Sequence, residues 1–143
     1  MADECKITQA LGKICWFEIP VSNVSRAKQF YTDVMGWEML AEAPPPDKSP
    51  IKSMHFFRKG EGFNGAFLEV ESDHHLRVYD EAKPRAIPVL ATFCVRDCDA
   101  TLNLISELGG KTILPKTEIG NNMGYYAQFM DSEGNWMGIW SMS

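Results

Sequence analysis

The sequence predicts an α+β fold: two tandem β-α-β-β-β modules that pair into a half-open barrel around a cavity, with the helices outside. Three observations carry this expectation. The first is a helix pattern in which Val24, Ala27, Phe30, Tyr31 and Val34 share one face, while Arg26, Lys28, Gln29 and Asp33 fall on the other. The second is an internal repeat: slid by about 74 positions, residues 90–113 overlie residues 16–39 without a gap. Val21 meets Val95, Asn23 meets Asp97, Phe30 meets Leu104, Tyr31 meets Ile105, Val34 meets Leu108 and Gly36 meets Gly110. The third is that apolar, strand-like runs separated by glycine-rich turns follow each helix.

In chain order, residues 1–12 read as a tail or a lead-in to the first strand, which spans 16–21. Ser22 or Asn23 supplies the side-chain oxygen that a helix start needs, and Gly36 accepts the left-handed backbone that ends it. A second strand fits 37–40. Residues 43–50 hold four prolines, which lack the donor that ladders and helices use, so this stretch is a loop. Strands are expected over 54–58 and 65–70, around a turn at 59–62. The polar stretch 71–88, with His74-His75, Pro84 and Pro88, connects the modules. The second module repeats the scheme: a strand at 89–95, a helix at 98–108 stopped by Gly109-Gly110, and strands at 111–114, 125–130 and 135–140. The whole forms one domain, with module 1 over about 13–72, the connector over about 73–87 and module 2 over about 88–142.

With 143 residues, 45% hydrophobic and 23% charged, the chain has ordinary globular composition. Its formal charge of -5 argues against nucleic acid, whose phosphates need a basic face. No apolar run approaches the roughly 20 residues of a membrane helix, and residues 1–6 lack the apolar core of a signal peptide, so the expected location is the cytoplasm. Cys5, Cys15, Cys94 and Cys98 form no CxxC pair and read as reduced, small apolar residues.

The run Ile19-Pro20-Val21-Ser22-Asn23-Val24-Ser25-Arg26-Ala27-Lys28-Gln29-Phe30-Tyr31, then Met35-Gly36-Trp37, and the closing Phe129-Met130-Asp131-Ser132-Glu133-Gly134-Asn135-Trp136 carry a resemblance. With the paired unit, they resemble the vicinal oxygen chelate superfamily of glyoxalase I, extradiol dioxygenases and bleomycin-resistance proteins. The likeness covers nearly the whole chain from Ile14. It implies paired modules, often in a homodimer, and in the enzymes a divalent metal held from the first and last strands of each module. Carried over residue by residue, the first ligand place falls on Trp16, the one opening the second module on Leu90, and the one in the last strand on Gly138. The remaining place falls on Glu69, with Gly65 competing because 65–67 resembles 138–140. Three of four places then lack a donor, which argues against a divalent ion. The expected cofactor is none, with a divalent metal as the alternative.

Strand parity gives the cavity lining, since alternate residues share a face. The expected ligand-binding residues are Trp16, Glu18, Phe67, Glu69, Thr92, Gln128, Trp136 and Trp140, a largely aromatic surface with a few polar points. The tryptophans have packing as their rival role. Glu18 has an ion pair with Arg58 or Lys13 as its rival, and Glu69 a solvated strand end. His55 is an acid–base candidate beside a carboxylate. His74 and His75 point opposite ways if extended and make a poor chelate.

Two functions follow. One is a metal-independent protein of the glyoxalase and bleomycin-resistance type that binds a small hydrophobic or aromatic molecule. The other is an enzyme of the lyase, isomerase or dioxygenase kind, using a metal or a cavity carboxylate, Glu18 or Glu69, as base. The expected partners are a small organic molecule and a second copy of the chain, with no nucleic acid and no membrane.

Overall fold

A computed structural model describes residues 2–143, with side chains for all of these except residues 2, 3, 5 and 6. The Cys5 expectation therefore lies outside the described side chains, whereas Cys15, Cys94 and Cys98 are free thiols.

The stretch expected to be a tail is largely a helix, α1 (Ala2–Ala10). The first module follows as β1 (Phe17–Val21), α2 (Val24–Met35), β2 (Glu38–Ala43), β3 (Ser53–Arg58) and β4 (Asn64–Glu69). A 3-10 turn at Ser72–His74 opens the connector. The second module runs β5 (Thr92–Cys94), α3 (Cys98–Glu107), β6 (Lys111–Glu118), β7 (Tyr125–Met130) and β8 (Trp136–Ser141). The strands build two four-stranded mixed sheets, ordered β1-β4-β3-β2 and β5-β8-β7-β6, so the two modules share one topology. The sheets do not close into a continuous barrel.

Local chemistry fixes the helix ends. Asn23 is extended, and its side chain accepts the Arg26 N–H at 3.0 Å; Gly36, at φ 67°, closes α2. Asp97 caps α3 in the same way, accepting from the Asp99 N–H. Two strands depart from expectation. β5 is short, Thr92–Cys94, although the Ala91 carbonyl still accepts from the Gly138 N–H at 2.8 Å. β6 runs on through Pro115, which an edge strand tolerates, and its register slips between Leu114 and Thr117 to accommodate it.

One face of each sheet is covered by its own module's helix, and the two covered faces join in a single core. Ala27, Phe30 and Tyr31 from α2 and Cys98, Leu102 and Ile105 from α3 fill it against Ile19, Val21, Phe57, Phe67, Ala127, Phe129, Met137 and Ile139. Trp37 lies with its ring centroid 4.4 Å from Tyr31 and 4.4 Å from Phe57, stacked on both. The modules meet through Phe17 and Phe93 at 5.8 Å and Phe30 and Phe129 at 6.2 Å. Each fully buried large side chain of this kind stabilises the fold by about 1.5–3 kcal/mol.

A polar clasp also joins the modules. The turn at 131–135 lies against the start of α2, where the buried Glu133 carboxylate accepts from the Ser22 N–H (2.9 Å), the Asn23 N–H (2.8 Å) and Arg26 Nε (2.7 Å). An acidic group from the second module thus neutralises the orphan donors at a helix start in the first. Burial opposes ionisation of Glu133, but Arg26 and these two backbone donors prevail and hold it below the ordinary glutamate value. Asp131 accepts from Tyr31 Oη, from the Glu133 and Asn135 N–H groups and from Asn135 Nδ2. Burial nevertheless pushes its carboxyl above the ordinary aspartate value.

Candidate functional site

The helix-free faces of the two sheets carry the candidate site. Strand register assigns their residues, because directly paired residues project to the same side. Glu18 pairs with Ala66, Thr92 pairs with Gly138, and Gln128 pairs with Gly138. The face therefore holds Trp16, Glu18 and Pro20 from the first module, with Leu90, Thr92, Gln128, Trp136 and Trp140 from the second.

A hollow of about 310 Å³ opens where β1 meets the start of β8. Its walls include Ile14, Glu18, Pro20, Leu76, Val78, Val89, Leu90 and Trp136. A second hollow of about 250 Å³ lies between connector residues 84–87 and the face of β6 and β7, with Gln128 and Tyr126 in its wall. Trp136 separates the two; its Nε1 donates to Gln128 Oε1 at 3.2 Å, and the Tyr79 ring meets its indole edge to face at 5.3 Å.

Of the eight expected ligand-binding residues, Glu18 and Trp136 line the first hollow and Gln128 the second. Trp16 and Thr92 share their face; Trp16 is 44% exposed and packs edge to face on Phe56 at 5.8 Å. Trp140 turns its Nε1 to the Met123 carbonyl at 2.8 Å. Phe67 and Glu69 correct the expectation. Phe67 is fully buried in the helix-side core, and Glu69 pairs with the buried Val21 and with Ser53 on that same side. Both project to the face opposite Glu18, because Ala66 is the partner of Glu18 and an odd-numbered offset along a strand reverses the face. Arg58 is engaged by Glu38 at 2.8 Å, which leaves Glu18 without that partner.

The histidines lie elsewhere. His55 Nε2 is 2.8 Å from Ser53 Oγ and its Nδ1 3.6 Å from Glu42, on the helix side. Burial, then Lys28, pushes its imidazole below the ordinary value. His75 is buried and bonded to Asn135 Oδ1 at 2.7 Å, an anchor for the connector, while His74 is exposed. The apolar contribution of the connector was the signal missed. Leu76 and Val78, and Ile87 and Val89, alternate within a stretch whose overall polarity masks them.

The model of the Glyoxalase/Bleomycin resistance protein/Dioxygenase superfamily matches residues 13–139. The chain belongs to this superfamily. It is 29% identical over 126 residues to a glyoxylase-like domain-containing protein of Didymella fabae, covering 87% of this chain and 89% of that one. It is 25% identical over 127 residues to the putative glyoxylase CFP32 of Mycobacterium tuberculosis, but spans only 44% of that protein. Among solved structures, TnmS3, an antibiotic binding protein from Streptomyces sp. CB03234, superposes with a TM-score of 0.59 at 22% identity, over 94% of this chain and 98% of that one.

The superfamily's metal chemistry needs donors at four equivalent positions, and the register identifies them here. Glu18 pairs with Ala66 as Thr92 pairs with Gly138, so the counterpart of Gly138 is Ala66, not Glu69 or Gly65. The four positions hold Trp16, Ala66, Leu90 and Gly138, none of which is a ligand type. A Cβ added at Gly138 would meet Thr92 Oγ1 at 2.7 Å and Leu90 Cδ2 at 3.1 Å, so neighbouring side chains already fill the room a carboxylate needs. Among the described residues, no group of three or more His, Cys, Asp or Glu comes together to hold an ion. The residues present do not fit a divalent metal. No helix among the described residues is long and apolar enough to cross a membrane.

Proposed function

We propose that this superfamily member binds a small, largely apolar or aromatic organic molecule in the hollow between its modules, without a metal. The observation that carries the reading is the register above, which leaves Trp16, Ala66, Leu90 and Gly138 where metal donors would stand. The hollow, at about 310 Å³, is the size of a small ligand site, and its wall is apolar except for Glu18 and Asn135. Stacking and burial supply the affinity of such a site, and polar points supply orientation. That TnmS3 is an antibiotic binding protein is compatible with the reading and adds only that this fold can serve as a binder.

A second copy of the chain is part of the same proposal. Ile14, Leu76 and Val89 at the first hollow and Ile87 at the second are largely exposed, apolar side chains of the kind that a partner surface covers.

The test is elemental analysis of protein purified without chelator, repeated after incubation with nickel, zinc, manganese and iron(II). The expected result is no retained ion, together with ligands found by tryptophan fluorescence in a screen of small aromatic compounds. Retention of one ion per chain overturns the metal-free reading.

A further inference from the structure

We infer that the hollow selects organic cations over neutral and anionic molecules of the same shape, with Glu18 as the selecting group. This rests on the binding function proposed above and names the ligand class. Among the described residues lining the hollow, Glu18 is the one with an ionisable side chain. The other polar lining side chain, Asn135, is committed to the fold: its Oδ1 meets His75, and its Nδ2 donates to the Pro20 carbonyl at 3.0 Å and to Asp131 at 3.0 Å. Glu18 is therefore the polar point that remains for a ligand. Neither rival partner pairs with it: Arg58 is held by Glu38 at 2.8 Å, and among the described residues no salt bridge joins Lys13 to Glu18, so the carboxylate faces the hollow without a basic partner.

The surroundings point the same way. Trp136 stands in the wall of the hollow, and the electron-rich face of such a ring attracts a cation. Displacing water from Glu18 is unfavourable unless the incoming molecule replaces its interactions, and a neutral apolar molecule cannot. An anion would meet like charge with no basic residue in the wall of this hollow. Arg85 lines the other hollow, beyond Trp136, so any attraction for anions is confined to that side.

The experiment uses three probes sharing a benzyl group: benzyltrimethylammonium, its neutral isostere neopentylbenzene, and phenylmethanesulfonate. Binding is followed through the indole N–H signals of the labelled full chain in NMR, for the wild type and Glu18→Gln. The expected result is at least tenfold tighter binding of the ammonium probe than of the neutral one, weakening with salt. Glu18→Gln abolishes that preference, read as the ratio of the affinities for the ammonium and neutral probes. Equal affinity for cation and neutral probe, tighter binding of the sulfonate, or a preference that survives Glu18→Gln each overturns the inference while leaving the binding function standing. If none of the three probes binds, the binding function itself fails, and the inference with it.

Discussion

The Tyr31 hydroxyl donates to Asp131 Oδ2 at 2.6 Å in the buried core, across 100 residues of sequence. Tyr31 belongs to the helix of the first module and Asp131 to the turn before the last strand of the second. Burial first, and then the Asp131 charge, pushes the phenol well above its ordinary value, so it acts as a fixed donor. Removing it leaves a buried carboxylate short of one partner. Tyr31→Phe keeps the ring stacked on Trp37 and should lower stability by about 1–3 kcal/mol, the usual penalty for an unsatisfied buried group. Urea midpoints check this; an unchanged midpoint would mean that the bond contributes nothing net.

The Glu133 clasp predicts a pH signature. Its folded value lies below the ordinary 4.5, so its contribution is present above that pH and is lost as pH falls through the folded value. Glu133→Gln should cost about 1–3 kcal/mol near neutral pH, because Arg26 loses its charged partner. The difference from wild type should narrow below pH 4.5. Asp131 has the opposite sign, its raised value favouring the folded state as the solution becomes more acidic, but it is present in both proteins and drops out of the comparison. A constant difference from pH 7 down to acid unfolding would contradict the role given to Glu133.

Much of this architecture was legible because it is periodic. The helix stripe Val24 to Val34 and the 74-residue echo fixed both modules, and the β7 range emerged as expected at Tyr125–Met130. The site was less legible. The family resemblance points to Glu69 and the likeness of 65–67 to 138–140 points to Gly65, but neither reveals which residue of β4 faces Glu18; only the ladder does. The walls contributed by Leu76 and Val78 belong to a connector whose polarity hid them, and Val89 stands in a stretch that reads as strand. The clasp joins residues more than a hundred positions apart and left no local trace beyond the turn residues themselves.

Trp16 and Trp37 should respond differently to substitution. Trp16 is 44% exposed and leans on Phe56, whereas Trp37 is 4% exposed and stacked between two rings. Trp16→His should therefore cost less than about 1.5 kcal/mol, and Trp37→Ala about 3–5 kcal/mol. Urea midpoints separate them, and a loss at Trp16 as large as that at Trp37 would make it a core residue.

The exposed rim predicts self-association. Val89 is fully exposed in the single chain and stands in the wall of the first hollow. A charge there would be buried without a partner in a dimer and solvated in a monomer. Val89→Asp should shift the mass measured by light scattering toward the monomer while leaving the circular dichroism spectrum unchanged. A wild-type protein already monomeric at high concentration would remove the second copy from the proposal.

Gly138 offers a test of the register on which the absence of metal donors depends. Its place opposite Thr92 means that even a methyl group meets Thr92 Oγ1 at 2.7 Å and Leu90 Cδ2 at 3.1 Å. Both are side-chain ends, so the strain can be relieved by trimming them. Gly138→Ala alone should cost about 1–3 kcal/mol through overpacking. Adding Thr92→Ala should recover about half of that or more, a coupling that only residues in contact display. Gly138→Ala with Cys94→Ala, two residues further along β5, should show no such recovery, because Cys94 pairs with Trp140. If Thr92→Ala fails to rescue and Cys94→Ala succeeds, β5 and β8 are paired two residues out of step. The counterpart of Gly138 would then no longer be Ala66, and the four donor positions would have to be reassigned.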